Sequence, residues 1–372
     1  MTWALRDKTC MVGVGTTRYG NFPETNSDGL AAEALRVAVE DAGLRMDQID
    51  GLIGCRIPST TRFAEMLGLQ TRFSLQTEVP GRFSAISLML AAQALAAGEA
   101  NYVACVYGNH GRSRKMAYGG ADSTWSPWGM TSPGASHAMM WQAHMQRFGS
   151  TSADLAPVSV AFRKHACANP DAVMRTPITI EDHQSSRFIA EPLRLLDYCL
   201  INDGGVAWIM TTPDRARDLR RKPVYVSGFA REDRLQGSSV ADLECWYPTL
   251  QRIAGQVYER AGIARDDIDG LMIYDNFTPT VLFSLEGMGF CPRGEGGRFV
   301  RDGTLELGRG RWPTNTSGGH LSESYMQGWA LIAEAVRQVR QELPQGRQIP
   351  ECRSVQYICA TDQASSIIFR GD

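Results

Sequence analysis

The sequence has no CxxC pair, no excess of positive charge, and no apolar run as long as the roughly 18–20 residues that a bilayer core demands. The first absence leaves no cysteine set with zinc-ligand spacing. The second, 38 Lys and Arg against 40 Asp and Glu for a formal charge of −2, withholds the basic surplus of a nucleic-acid binder. The third excludes a membrane-spanning helix, and the opening MTWALRDKTC is too polar for a secretory leader. Histidine is scarce, at six, and His110, His137, His144, His165 and His183 have no metal-ligand spacing. Nine cysteines, an odd number scattered from Cys10 to Cys359, read as reduced thiols of a cytoplasmic protein. What is present is an ordinary globular composition. The 372 residues are 43% hydrophobic and 21% charged, enough for a large core and for two domains or one large one.

The chain repeats itself. AGLRMDQIDGL at 42–52 and AGIARDDIDGL at 261–271 share seven of eleven residues at an offset of 219. Upstream of the first, Leu30, Ala31, Ala34, Leu35, Ala38 and Ala42 fall on one helical face; upstream of the second, Leu250, Ile253, Ala254, Val257 and Ala261 do the same. Each segment then enters a short apolar run suited to a buried strand, LIGC at 52–55 and LMIY at 271–274. RFSAISLMLAAQALAA (82–97) is a helix without a polar face and must be buried all round. Its counterpart is SESYMQGWALIAEAVRQVR (322–340), and YVACVYG (102–108) and SVQYICA (354–360) are the matching strands, with SSIIFR a last one. Between the halves, about 110–200, the texture is irregular. GGADSTWSPWGMTSPGAS reads as loop, helices follow near 135–148 and 151–167, and PITIEDHQSSRFIAEPLRLLDYCLIND reads as an extended loop before a strand at 205–212. The architecture expected is layered α/β: two similar halves, 1–215 and 216–372, with an insertion on the first. GVGTTRYG lacks the spacing and the acidic partner of a dinucleotide loop, so its glycines read as turn residues.

Five segments, in order, resemble the thiolase superfamily in its sterol-carrier-protein-x or lipid-transfer-protein branch: VGVGTTRYG (12–20), AAEALRVAVEDAGLRMDQIDGL, LLDYCLINDGGVAWIM (195–210), YDNFT (274–278) and NTSGGHLSESYMQG (315–328). The resemblance implies a five-layered αβαβα sandwich of two repeated halves with a loop-domain insertion in the first, usually dimeric. It also implies a nucleophilic cysteine at the N-terminus of the buried first-half helix, where the helix dipole lowers a thiol's pKa. Matching AISLMLA (85–91) to that helix puts Gly81 at the nucleophile position, and VPGRFSA (79–85) has no cysteine. The same matching puts Tyr325 where the family has histidine, Tyr274 where it commonly has Asn or His, and Cys359 near its second catalytic cysteine.

These departures resemble the thiolase-like aldolases of steroid side-chain degradation. The implied activity is retro-aldol cleavage of a β-hydroxyacyl-CoA, such as a 17-hydroxy steroid side-chain CoA ester, to a ketone and a short acyl-CoA. The implied partners are a second copy of the chain and a small OB-fold, zinc-ribbon protein or a hydratase carrying that domain, in a dimer or heterotetramer. No cofactor is expected on this chain; zinc is expected only on the partner. No Schiff-base lysine or metal cluster stands out. Tyr325 and Tyr274 are the candidate acid and base, in either order, with Asn276 and His320 as candidate enolate donors and Gly81, Gly318, Gly319 and Cys359 as substrate-lining residues.

Plainer roles stand beside these. Tyr325 shares an i, i+3, i+4, i+7 stripe with Gly328, Trp329 and Ile332, as a core tyrosine would. His320 follows two glycines at a helix entrance and suits a cap. Asp275 faces away from Tyr274 if the strand persists, and reads as structural. Asp203-Gly204-Gly205 reads as a turn. Arg112, Arg114 and Lys115 suit either CoA phosphates or solvent. Two alternatives to the aldolase remain: an acyltransferase recruiting Cys359, and a non-catalytic acyl-CoA-binding subunit.

Overall fold

The computed structural model describes residues 2–77, 81, 83–116, 126–233 and 241–372. The loop expected over 119–136 lies outside them as far as residue 125, as do Val79, Pro80 and Arg82 beside Gly81. The strands are β1 Cys10–Thr16, β2 Gly51–Cys55, β3 Phe73–Thr77, β4 Val103–His110, β5 Phe188–Ala190, β6 Leu193–Arg194, β7 Asp203–Thr211, β8 Val224–Asp233, β9 Gly270–Ile273, β10 Ser354–Cys359 and β11 Gln363–Arg370. The helices are α1 Ser27–Ala42, α2 Thr60–Leu67, α3 Phe83–Ala96, α4 Pro133–Phe148, α5 Ala156–Cys167, α6 Ile180–Ser185, α7 Pro213–Ala216, α8 Tyr247–Ala261, α9 Thr278–Gly287, α10 Gly296–Arg301, α11 Gly319–Ser322 and α12 Trp329–Arg340.

The strands join in the order β3-β2-β4-β7-β1-β8-β11-β10-β9, with β5 and β6 forming a separate ribbon. Seen from the centre, β1-β7-β4-β2 and β8-β11-β10-β9 have the same succession, and they meet where β1 pairs antiparallel with β8 at Cys10–Tyr225 and Met11–Val224. Helix α1 packs on β1, β7 and β4, and α8 on β8 and β11, as the outer layers. Helices α3 and α12 touch strands of both halves and form the middle layer. Together these are the five layers expected. The division expected at residue 215 falls in α7, between β7 and β8.

The repeated segment builds the same device twice. Gly43 and Gly262 end α1 and α8 at φ 71° and 65°, in the left-handed region that glycine enters freely. Asp50 then accepts hydrogen bonds from the Asn101 and Tyr102 N–H groups, both at 2.8 Å. Asp269 accepts from Arg353 and Ser354 N–H at 2.8 and 2.9 Å. Each aspartate fastens the entry of its own strand to that of the neighbouring one, β4 or β10.

Helix α3 buries ten of its fourteen residues and leaves Gln93 and Ala96 exposed, so the burial that its missing polar face calls for covers most of it. Gly13 and Gly15 lie inside β1, not in a turn: a Cβ there would come within 2.3 and 2.1 Å of α1 carbonyl oxygens, so these glycines let helix and strand meet. Gly204 and Gly205 likewise lie in β7, with Asp203 at its start. The segment 322–340 is not one helix. Gln327 and Gly328 have φ of 49° and 87°, so the helix begins only at Trp329 and Tyr325 stands in a loop before it. The region read as an extended loop also contains α6 and the β5–β6 ribbon, both too short to show a periodicity. No helix among the described residues is long and apolar enough to cross a membrane.

Candidate active site

Tyr274 follows the last residue of β9. Its N–H donates to the Ile358 carbonyl at 2.8 Å, which continues the β9–β10 pairing by one residue and keeps the phenol turned to the interior. Tyr325 is placed from the opposite side. Its N–H donates to Asn202 Oδ1 at 2.7 Å, and Asn109 Nδ2 donates to the Asn202 carbonyl at 2.8 Å. The two phenols, 3% and 8% exposed, meet with their oxygens 3.0 Å apart.

Gly81 stands beside them, just before α3. A Cβ on Gly81 would lie 1.8 Å from Tyr274 Oη and 2.3 Å from its Cζ. The volume that a side chain at position 81 needs is therefore filled by the Tyr274 phenol. Ser84, one turn on, donates to the Gly81 carbonyl at 3.1 Å and lies 2.9 Å from Tyr357 Oη. Tyr357 is a site residue that the sequence reading missed. The signal was there: on a buried strand it lies two residues from Cys359 and so shares its face.

Burial pushes the Tyr274 phenol well above its ordinary pKa, and Tyr325 and then Cys359 push it further. Tyr357 is raised in the same way, by burial first and Cys359 next. A lone phenolate is costly here, so Tyr274 and Tyr357 hold their protons at neutral pH. Cys359 ends β10, fully buried.

His320 lies edge-on to both phenols, 4.8 Å from Tyr274 and 5.2 Å from Tyr325 between ring centres. Its Nε2 accepts from Gly328 N–H at 2.8 Å, which puts the ring proton on Nδ1. Nδ1 is 3.2 Å from Asp275 Oδ1 but off the alignment of a hydrogen bond. Both ring nitrogens thus face protein groups, so the placement favours an anchoring role over enolate donation. Burial lowers its pKa to about 3, leaving it neutral. Asp275, beyond the end of β9, accepts from the N–H groups of His320 and Leu321 at 2.9 and 3.2 Å, and burial raises its pKa well above the usual range.

Asn276 turns to α9: its Oδ1 accepts from Phe277 N–H at 3.1 Å and Thr280 Oγ1 at 2.8 Å, and its Nδ2 is 3.4 Å from His137 Nε2. Gly318 and Gly319, expected to line substrate, stand at the turn into α11 with φ of 109° and 61°. A Cβ on Gly318 would strike Ala166 at 2.6 Å, and one on Gly319 would lie 2.3 Å from Asp275 Oδ2. Cys55 and Cys105 are buried in β2 and β4, and burial raises both thiols above their ordinary pKa. Asp203 does not shape a turn of its own but gathers others, accepting from Phe22 and Arg112 N–H at 2.9 and 2.8 Å. Arg112 and Lys115 line a cleft of about 550 Å³ with Asn21, Met116 and Ile201. Among the described residues no three His, Cys, Asp or Glu side chains form a metal-binding group.

Chemically, this is a buried site holding two mutually bonded phenols against a neutral imidazole, with a glycine at the start of the buried helix and the Ser84–Tyr357 pair beside that glycine. It suits proton transfer and offers no thiolate at position 81. Residues 233–360 match the family model "Thiolase C-terminal domain-like". The chain is 37% identical over 385 residues to the 17-hydroxy-3-oxo-4-pregnene-20-carboxyl-CoA lyase of Mycobacterium tuberculosis, covering 96% of each. It is 36% identical to the steroid side-chain-cleaving aldolase of Thermomonospora curvata, covering 89% of this chain and 90% of that one. The solved Ltp2-ChsH2(DUF35) aldolase superposes with a TM-score of 0.92 at 35% identity, covering 99% of both chains. The chain belongs to the thiolase-like family, in the branch that holds these side-chain-cleaving aldolases.

Proposed function

We propose that the chain is a carbon–carbon lyase that cleaves a β-hydroxyacyl-CoA by retro-aldol chemistry, with a 17-hydroxy steroid side-chain CoA ester as its substrate. The observation that carries this is the Tyr274–Tyr325 bond at 3.0 Å, formed in the space that a side chain at position 81 would occupy. Tyr274 and Tyr325 work as a relay. One phenol oxygen takes the proton of the substrate's β-hydroxyl as its own proton passes across the bond. The other phenol delivers its proton to the α-carbon. The Cα–Cβ bond breaks, its electron pair moves into the thioester enolate, and the products are a ketone and a shortened acyl-CoA. A proton enters the pair as another leaves, so a free phenolate, which burial disfavours, is never required. Such acid–base assistance is worth about 10²–10⁴-fold in rate.

Gly81 and Cys359 lie close enough to the pair to border the reacting carbons. His320 and Asn276 act one step removed, His320 by holding Gly328 and Asn276 by holding the start of α9. The superposed aldolase is named for a ChsH2(DUF35) component as well as for Ltp2. We infer a corresponding partner for this chain, with any zinc on that partner, and a homodimeric aldolase core. The deciding experiment incubates the chain and that partner with a 17-hydroxy steroid side-chain CoA ester. Release of a 17-ketosteroid and a short acyl-CoA supports the reading. Full activity in a Tyr274→Phe, Tyr325→Phe double variant removes the relay. A stable acyl adduct on Cys359, seen by intact mass, moves the assignment to an acyltransferase.

A further inference from the structure

Beneath the Tyr325 loop lies a buried carboxylate that the relay does not use. Glu323 is 5% exposed. Its Oε2 accepts from Ser317 Oγ at 2.6 Å and its Oε1 from Asn169 Nδ2 at 3.3 Å. The same stretch is fastened to the insertion by its backbone. Met174 and Val173 N–H donate to the carbonyls of Ser322 and Glu323 at 2.9 and 3.0 Å, and Arg163 Nε donates to Ser322 Oγ at 2.8 Å. Glu323 N–H closes the turn onto the Gly319 carbonyl at 2.8 Å. The carboxylate therefore sits where the segment after α5 clasps the end of α11, which carries His320, and the loop after it, which carries Tyr325.

The charged and titratable groups facing Glu323 come from three sides. Glu334 and Arg337 belong to α12, Arg347 to the turn after it, and Tyr19 to the loop after β1. Burial and then Glu334 raise the Glu323 pKa to about 7, against the pull of Ser317, Arg347 and Arg337. Its two direct partners are donors, so the ionised form fits them. A protonated carboxyl would have to reverse the Ser317 bond, donating from Oε2 to Ser317 Oγ, and both contacts would lose the strength that the charge gives them.

We propose that Glu323 is a positioning residue for Tyr325: its ionised carboxylate closes the clasp between Ser317 and Asn169, and its protonation slackens the loop and slows turnover. This rests on the relay reading of Tyr325. Displacement of a reacting group by about an ångström costs on the order of 10²-fold, so the effect falls on kcat and leaves KM nearly unchanged.

The test compares wild type, Glu323→Gln and Ser317→Ala, each with the partner present, across pH 5.5–9. Wild-type kcat is expected to fall through an acid limb near neutrality. In Glu323→Gln that limb should be absent and kcat about 10- to 100-fold lower at pH 8, with KM within about twofold. In Ser317→Ala, which removes a donor to the ionised form, the limb should move up by about one pH unit or more. An unchanged limb in both variants overturns the proposal, as does an unshifted limb in Ser317→Ala where Glu323→Gln does not fold. pH-difference infrared spectra of wild type against Glu323→Gln report the carboxyl directly. If wild type cleaves no ester, the relay reading fails by itself. A carboxyl band that titrates near 7 in wild type and is lost in the variant then still supports the clasp, whereas its absence removes it.

Discussion

Adding one methyl group at Gly81 tests the site more sharply than removing a hydroxyl. In Gly81→Ala the new Cβ would be placed 1.8 Å from Tyr274 Oη, where an ordinary carbon–oxygen contact is about 3.3 Å, so the phenol must retreat by more than an ångström. It has little room, because its ring is buried against His320 and its backbone is tied to Ile358. Overpacking of this kind costs roughly 1–3 kcal/mol of stability. The same movement breaks the 3.0 Å bond to Tyr325. A misplacement of that size lowers turnover about 10²-fold or more. The assay is kcat/KM for ketone release, with thermal unfolding alongside. Since the alanine already displaces the hydroxyl, Gly81→Ala, Tyr274→Phe should be little worse than either single variant, a non-additivity that a double-mutant cycle measures. Wild-type turnover and unchanged melting in Gly81→Ala would sink this account of the site, and so would losses that simply add.

Four further outcomes are expected. Tyr325→Phe should lower kcat by about 10²–10⁴-fold while isothermal titration with acyl-CoA shows binding retained. Above pH 10 the unfolded chain's tyrosines ionise while the buried Tyr274 and Tyr357, whose pKa values are raised, resist. Stability should therefore decline as pH rises past 10, and phenolate absorbance should appear together with unfolding. His320, His137 and His165 are held neutral with pKa values lowered to about 3, 4 and 4. Below pH 6.5 the unfolded chain binds protons that these rings refuse, so the urea midpoint should drop steadily from 6.5 toward 4. Gly328→Ala should destabilise by more than about 2 kcal/mol in chemical denaturation, because its φ is 87° and its Cβ would meet Tyr357 Oη at 2.2 Å.

The elements of the two halves were legible in the sequence because their signals are local, whereas their stacking in five layers came from the family resemblance. The duplicated AGxxxDxIDGL segment, the stripe of α1 and the apolar surface of α3 each follow from periodicity alone. The substitution at Gly81 and the two tyrosines were legible only through resemblance to a family. Nothing in their spacing announces that residues 81, 274 and 325 converge. Tyr357 was missed, and Ser84 was seen only as a hydroxyl without a partner, because their bond joins residues 273 positions apart. The helical stripe through Tyr325 misled because side-chain periodicity is blind to backbone sign: Gln327 and Gly328 have positive φ and interrupt the helix. His320 and Asp275 were each weighed alone, whereas only the fold reveals that the aspartate organises the histidine's turn.

The crowding between position 81 and Tyr274 ties two distant codons together. A lineage carrying cysteine at the first has no room for this phenol, and a lineage carrying the phenol cannot regain the thiol by a single mutation. Among relatives, these two positions should change as a pair, and a return to acyl-transfer chemistry would have to begin by discarding the aromatic ring.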